Sequence, residues 1–142
     1  MVTVTAAILA RDGKILIARR PAADRLATKW EFPGGKVEEG ETAEACLARE
    51  LTEELGIEAR IGIFLGESCY QYEHASIRLL AFLVYWDTGE LAPKVHDEIR
   101  WVSLNELENY DFAPADIPFV KKLINGDLGF GFENTRVRSQ KS

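Results

Sequence analysis

The stretch Gly35-Lys36-Val37-Glu38-Glu39-Gly40-Glu41-Thr42-Ala43-Glu44-Ala45-Cys46-Leu47-Ala48-Arg49-Glu50-Leu51-Thr52-Glu53-Glu54-Leu55-Gly56-Ile57 sets the fold of this chain. Its pattern predicts a helix from Thr42 to Leu55, preceded by Gly40-Glu41 and stopped by Gly56, which suits a left-handed C-terminal cap. At roughly 100° per residue Glu53, Glu50 and Glu54 fall within about 140° of Arg49 on one face. Leu47, Ala48, Leu51 and Leu55 form an adjoining apolar stripe. The helix is therefore anchored along one side and acidic along the next. Like charges at i,i+3 and i,i+4 repel, so helix stability alone does not favour this arrangement, and a bound cation reverses the sign. Ala43 and Cys46, on the acidic side, are small enough to leave room for ions or substrate oxygens. A solvated acidic face is the plainer alternative.

Working outward, residues 38 to 58 hold eight glutamates and one base, Arg49, while the whole chain of 142 residues has a net charge of −6. Nearly all the excess acid is thus concentrated in one segment, where hard oxygen ligands suit a divalent cation. Duplex nucleic acid is an unsuitable partner for such a chain. Its length fits one globular domain, expected over residues 1–133, with a loose polar tail over 134–142. Cys46 and Cys69 match no close-spaced metal pattern, and no apolar run approaches the roughly 20 residues of a membrane span. No membrane partner is expected, and with no signal peptide the expected location is the reducing cytoplasm.

On the N-terminal side, Val2 to Ala10 and Ile15 to Ala18 are apolar runs joined by Asp12-Gly13, the pattern of a hairpin. Arg19 to Gly35 carries Pro21, Pro33 and Gly34-Gly35 and is expected to be a long functional loop. On the C-terminal side, strands are expected near Arg60 to Leu65, Ile77 to Trp86 and Arg100 to Val102, with a second helix from Pro118 to Ile124. Ser103 or Asn105 is placed to cap a small turn through Leu107. Strands around two helices give an α/β domain with helices packed on sheet faces.

The spacing within the opening stretch is Gly35, five residues, Glu41, seven residues, Arg49-Glu50-Leu51, one residue, Glu53-Glu54, one residue, Gly56-Ile57. It resembles the Nudix box at every fixed position. The resemblance implies the Nudix fold, a mixed β-sheet sandwiched between α-helices with a loop-helix-loop catalytic module, and metal-dependent hydrolysis of a polyphosphate. Carried over residue by residue, it implies that Glu50 and Glu54 coordinate the metal and that Glu53 is a further ligand or part of the base machinery. A backbone carbonyl in the Gly34-Gly35 turn completes the shell. Magnesium suits such ligands, with manganese able to substitute. Arg49 is expected to orient a glutamate through a bidentate ion pair, or to act only as the i,i+4 partner of Glu53. Glu41 has a supporting place near the helix dipole. Gly35 and Gly56 are expected to serve backbone shape.

Trp30-Glu31-Phe32-Pro33-Gly34-Gly35-Lys36 is similar to the MutT-type subgroup, which converts nucleoside triphosphates to monophosphates and pyrophosphate. Phe112-Ala113-Pro114-Ala115-Asp116-Ile117-Pro118 looks like that subgroup's base-recognition segment, and its wording is especially like bacterial CTP pyrophosphohydrolases. A carboxylate at Asp116 can accept from an amine such as cytosine N4 or, protonated, donate to a carbonyl. Cytidine-type nucleotides (CTP, dCTP, 5-methyl-dCTP) and oxidised ones (8-oxo-dGTP) both remain open, and Asp116 as a plain helix cap is the alternative. Phe32 and Tyr72 are candidates to stack on the base, Arg20 and Lys36 to bind phosphate, with Arg19 competing. Glu98, or Asp97, is expected to supply one more metal-binding carboxylate. His74 and His96 have no motif around them and read as surface or loop residues. The resemblance leaves two competing functions: hydrolysis of a dinucleoside polyphosphate or nucleotide sugar, hinted at by Tyr70 and Tyr72, and nucleotide sensing without cleavage. Sensing modules usually lose a box glutamate, and here all are present. A purely structural domain leaves the Gly35 to Ile57 spacing unexplained. The sequence is silent on oligomeric state.

Overall fold

The computed structural model describes residues 1–22 and 26–127. The proposed tail and its boundary after residue 133 lie outside the described residues. β1 (Val2–Arg11) and β2 (Lys14–Arg19) form the expected hairpin, with Asp12 and Gly13 both at positive φ in its turn. Only Ala10↔Ile15 and Arg11↔Lys14 pair across it. Beyond the turn the two strands diverge. β1 runs parallel to β5 (Ser76–Gly89) from Val2↔Ile77 to Leu9↔Val84, whereas β2 pairs antiparallel with β6 (Glu98–Ser103) and with β3 (Trp30–Glu31). β4 (Ile57–Gln71) completes the sheet against β5, with register shifts near Ala59 and Phe64. The sheet is mixed, as expected.

β3 is a difference from the sequence reading, which makes Arg19 to Gly35 loop throughout. Two residues have no period to detect, and this strand exists because Ala18 and Arg19 pair with Glu31 and Trp30. β4 and β5 also extend beyond their expected runs. Their ends alternate weakly because much of β4 is exposed.

Alternation across β1 and β2 divides the core. Ala6, Ile8, Ile15 and Ile17 face one layer with Trp30, Phe32, Phe119 and Leu123, the last two from α2 (Ile117–Asn125). Ala7, Leu9 and Leu16 face the other, against Leu47, Leu51 and Leu55 of α1 (Ala43–Leu55). The sheet is thus covered on both faces, and its central strands read as continuous apolar runs. Burial of these leucines stabilises the packed α1 by roughly 1.5–3 kcal/mol per side chain. Two short 3₁₀ turns, Leu104–Asn109 and Pro114–Asp116, link β6 to α2. Ser103 caps the first in a capping box with Glu106. Among the described residues no helix is long and apolar enough to cross a membrane.

Candidate active site

α1 begins where Thr42 Oγ1 accepts from Ala45 N at 3.1 Å and ends at Gly56, φ 74°, whose N–H bonds to Thr52 O. With both ends fixed and the leucine stripe buried, the acidic edge has one available orientation. Arg49 organises it. Its Nε donates to Glu41 Oε2 at 2.6 Å and its Nη2 to Glu41 Oε1 at 2.9 Å, while Nη1 reaches Glu50 Oε1 at 2.9 Å and Glu53 Oε1 at 3.0 Å. Arg49 is therefore the bidentate partner of Glu41 and the i,i+4 partner of Glu53 together. The Arg49 fork and the Glu38 N–H hold the Glu41 carboxyl at about 2, well below its ordinary value. Glu41 acts through these bonds more than through the helix dipole.

The two remaining box carboxylates differ sharply from Glu53, whose side chain is 52% exposed and which lies outside the cavity lining. Glu50 and Glu54 line a cleft of about 420 Å³ between α1 and the segments around β3. Glu54 does not face outward: its Oε1 is buried and has no hydrogen-bond partner among the described residues. Burial pushes its carboxyl up to about 9, and the charges of Glu31 and Glu50 push the same way. A buried carboxylate with an unpartnered oxygen beside a second carboxylate is unfavourable by itself and fits a divalent cation. Among the described residues no three His, Cys, Asp or Glu side chains converge into a ready-made metal cage, since Arg49 holds Glu53 at the outer flank.

The glycine turn packs against this edge. A Cβ on Gly35 would lie 2.2 Å from Glu50 Cδ, and one on Gly34 would lie 2.0 Å from Thr5 O. Gly35 is thus required for close approach, whereas Gly56 alone of the two has positive φ. Gly35 O accepts from Thr5 N at 2.8 Å, from Thr5 Oγ1 at 3.1 Å and from Cys46 Sγ at 3.5 Å. Cys46 leaves no room for ions: it is fully buried beneath the turn, and burial raises its thiol pKa. Gly34, Lys36 and Thr5 line the cleft.

The opposite wall is assembled from five separated segments. Asp116, only 5% exposed, receives Phe32 N on Oδ1 at 3.1 Å and makes no capping bond to α2, which disposes of the helix-cap alternative. Burial raises its carboxyl well above the ordinary range, and the Glu31 charge adds to this. Phe32 is buried against Phe112, centroids 5.3 Å apart, and also lines the cleft, so it is core and wall at once. Tyr72 lines the cleft too, its hydroxyl accepting from Ala115 N at 2.9 Å and its ring stacked on His74. Arg20 donates from Nη1 to Glu31 Oε1 at 2.7 Å inside the cleft, whereas Arg19 lies outside it and pairs with Glu98 at 3.6 Å.

Glu98 and Asp97 lie away from the cleft in this structure. β2–β6 pairing sets Glu98 opposite Arg19, where it also meets Arg100, and Asp97 N bonds to Arg19 O; neither lines the cleft. The residue of that loop that enters is His96, which is not a surface histidine: its side chain is 2% exposed and its Nε2 is 2.8 Å from Glu31 Oε2. His74 likewise stands at the cleft. Sequence reasoning misses Glu31 and His96 because their roles depend on a contact across 65 residues. The one available signal for Glu31 is its place inside the Trp30 to Lys36 string.

Two half-buried carboxylates, Glu50 and Glu54, on a loop-helix-loop module thus face one cleft. The NUDIX domain family matches residues 1–123, and the chain belongs to that family as a Nudix hydrolase. It is 45% identical over 121 residues to CTP pyrophosphohydrolase of Escherichia coli, covering 85% of this chain and 90% of the relative. It is 39% identical over 112 residues to the E. coli 8-oxo-dGTP diphosphatase, covering 79% and 87%. The solution structure of the E. coli ORF135 protein superposes with a TM-score of 0.77 at 41% identity, covering 89% of this chain and 91% of that one. Nudix hydrolases generally use a divalent metal.

Proposed function

We propose that this protein is a magnesium-dependent nucleoside triphosphate pyrophosphohydrolase that releases pyrophosphate and a nucleoside monophosphate, acting on cytidine-type or oxidised nucleotides. The observation that carries this reading is the pairing of Glu50 with Glu54, whose Oε1 is buried without a hydrogen-bond partner among the described residues, across one cleft from Asp116. The similarity to a CTP pyrophosphohydrolase and an 8-oxo-dGTP diphosphatase supports both base classes. Small nucleotides of the cytoplasmic pool are its substrates in this reading.

Glu50 and Glu54, with the Gly34 carbonyl, would hold the magnesium ion. When bound it neutralises the triphosphate and lowers the pKa of a water. Arg49 keeps Glu50 and Glu53 side by side, so that Glu53, reachable from solvent, serves as ligand or base at the rim. Arg20 and Lys36 supply positive charge to phosphate oxygens along the cleft. Phe32 and Tyr72 flank the base and Asp116 reads its edge. A base held by these groups fixes the distance from base to phosphorus.

The test is the product released from CTP, dCTP, 5-methyl-dCTP, dGTP, 8-oxo-dGTP and a diadenosine polyphosphate with magnesium. Selective pyrophosphate release from cytidine-type or oxidised nucleotides is the expected result. Nucleotide binding without cleavage contradicts it, as does preference for the diadenosine compound.

A further inference from the structure

Glu31 is held from both sides by groups that come from different parts of the fold. Arg20 Nη1, at the end of the hairpin, donates to Oε1 at 2.7 Å. His96, from the loop before β6, meets Oε2 at 2.8 Å. A carboxylate only accepts, so His96 Nε2 carries the proton. His96 Nδ1 is buried without a hydrogen-bond partner among the described residues, so Glu31 is the polar group that holds the ring. Both Glu31 oxygens retain lone pairs after these two bonds, and Glu31, His96 and Arg20 all line the cleft that holds Asp116.

The position of Glu31 gives the clamp a purpose. The next residue, Phe32, donates its N–H to Asp116, so the two carboxylates are tied to consecutive positions of one backbone segment. A nucleobase edge presents neighbouring donors and acceptors, and two carboxylates fixed side by side can read two of its atoms. A carboxylate free to swing would read neither and would lose side-chain entropy on binding each substrate. We propose that His96 is a positioning residue for base selection: by fixing Glu31 against Arg20 it makes Glu31, beside Asp116, a second reader of the nucleobase edge. This rests on the nucleotide reading given above.

The experiment compares kcat and KM for CTP and UTP, which differ at the exocyclic group of the base, in wild type, His96→Leu, His96→Gln, Glu31→Ala and the double variant His96→Leu/Glu31→Ala. Wild type is expected to prefer one base clearly. His96→Leu is expected to raise KM for the preferred nucleotide about tenfold with a much smaller change in kcat, and to flatten the CTP/UTP ratio. His96→Gln, which offers an amide N–H at similar reach, restores part of the ratio. The double variant is no worse than Glu31→Ala, because His96 acts through Glu31. A CTP/UTP ratio unchanged in both His96→Leu and Glu31→Ala, with wild type still discriminating, overturns this proposal alone. Additive losses in the double variant also overturn it. Absence of nucleotide hydrolysis in wild type overturns the nucleotide reading and this inference with it. Should His96→Leu fail to fold, Glu31→Gln carries the same comparison, since it keeps the volume and changes what the clamped group accepts.

Discussion

The two walls of the cleft are built by opposite routes. The helical wall presents Glu50 and Glu54, backed by Glu41, Arg49 and Glu53 from the same run of fourteen residues, and the one arginine bonds three of the glutamates at 2.6 to 3.0 Å. The facing wall takes Arg20, Glu31, Tyr72, His96 and Asp116 from strands and loops spread along nearly the whole described chain. Contiguity makes the first wall rigid and generic, since helix geometry alone fixes its spacing. Assembly from distant segments makes the second adjustable, because each segment can change without disturbing the others. The division suggests chemistry on the helical wall and selection on the other.

Several substitutions would break or sharpen that division. The largest effect is expected for Glu54→Gln, which should lower turnover by about a thousandfold or more for every nucleotide while leaving their ranking intact. It should also remove the rise in melting temperature expected of the wild type when magnesium is added, since a ligand that binds the folded state stabilises it. Near-normal turnover would place the chemistry elsewhere. Next in size is Gly35→Ala, whose methyl meets the Glu50 carboxylate. A loss of about tenfold to a hundredfold in kcat is expected, measured beside a near-wild-type circular dichroism spectrum. Unaltered kcat would show that Glu50 can move without cost.

The smallest effect tests Arg49 as a scaffold. The Glu41 carboxyl is lowered from an ordinary 4.5 to about 2 in the folded protein. A depressed folded value means that the unfolded chain binds the proton more readily, so this contribution is present above about pH 4.5 and is lost as pH falls towards 2. Glu41→Gln should melt below wild type by a few degrees at pH 6, and the gap should narrow below about pH 4.5 and close only near pH 2. A gap constant across that range would remove the ion pair as its cause.

The same contrast explains what is legible in the sequence. α1, its caps and the leucine stripe are readable because helix periodicity and capping are local, and the box spacing alone brings Glu50 and Glu54 together. The outer wall is readable only where a string of neighbouring residues carries the signal, as at Asp116. His96 escapes because a histidine without local context looks like any surface residue, yet it is buried against Glu31. The placement of Glu98 departs from its expected one for the converse reason. Its position before Trp101 matches an expected carboxylate, but strand register turns it to Arg19, and register is decided by the partner strand. Size argues for open space at Cys46 and glycine's freedom for backbone shape at Gly35, whereas the fold uses both for close packing under the turn.

The most direct test of the division is pyrophosphate release from CTP, UTP, dGTP and 8-oxo-dGTP under magnesium, with wild type, Glu54→Gln and Asp116→Asn measured in parallel. The account predicts that Glu54→Gln loses turnover on all four together, while Asp116→Asn keeps comparable kcat on its best substrate and shifts the ranking by roughly tenfold or more. A Glu54→Gln enzyme that still turns over, or an Asp116→Asn enzyme with the wild-type ranking, would contradict it.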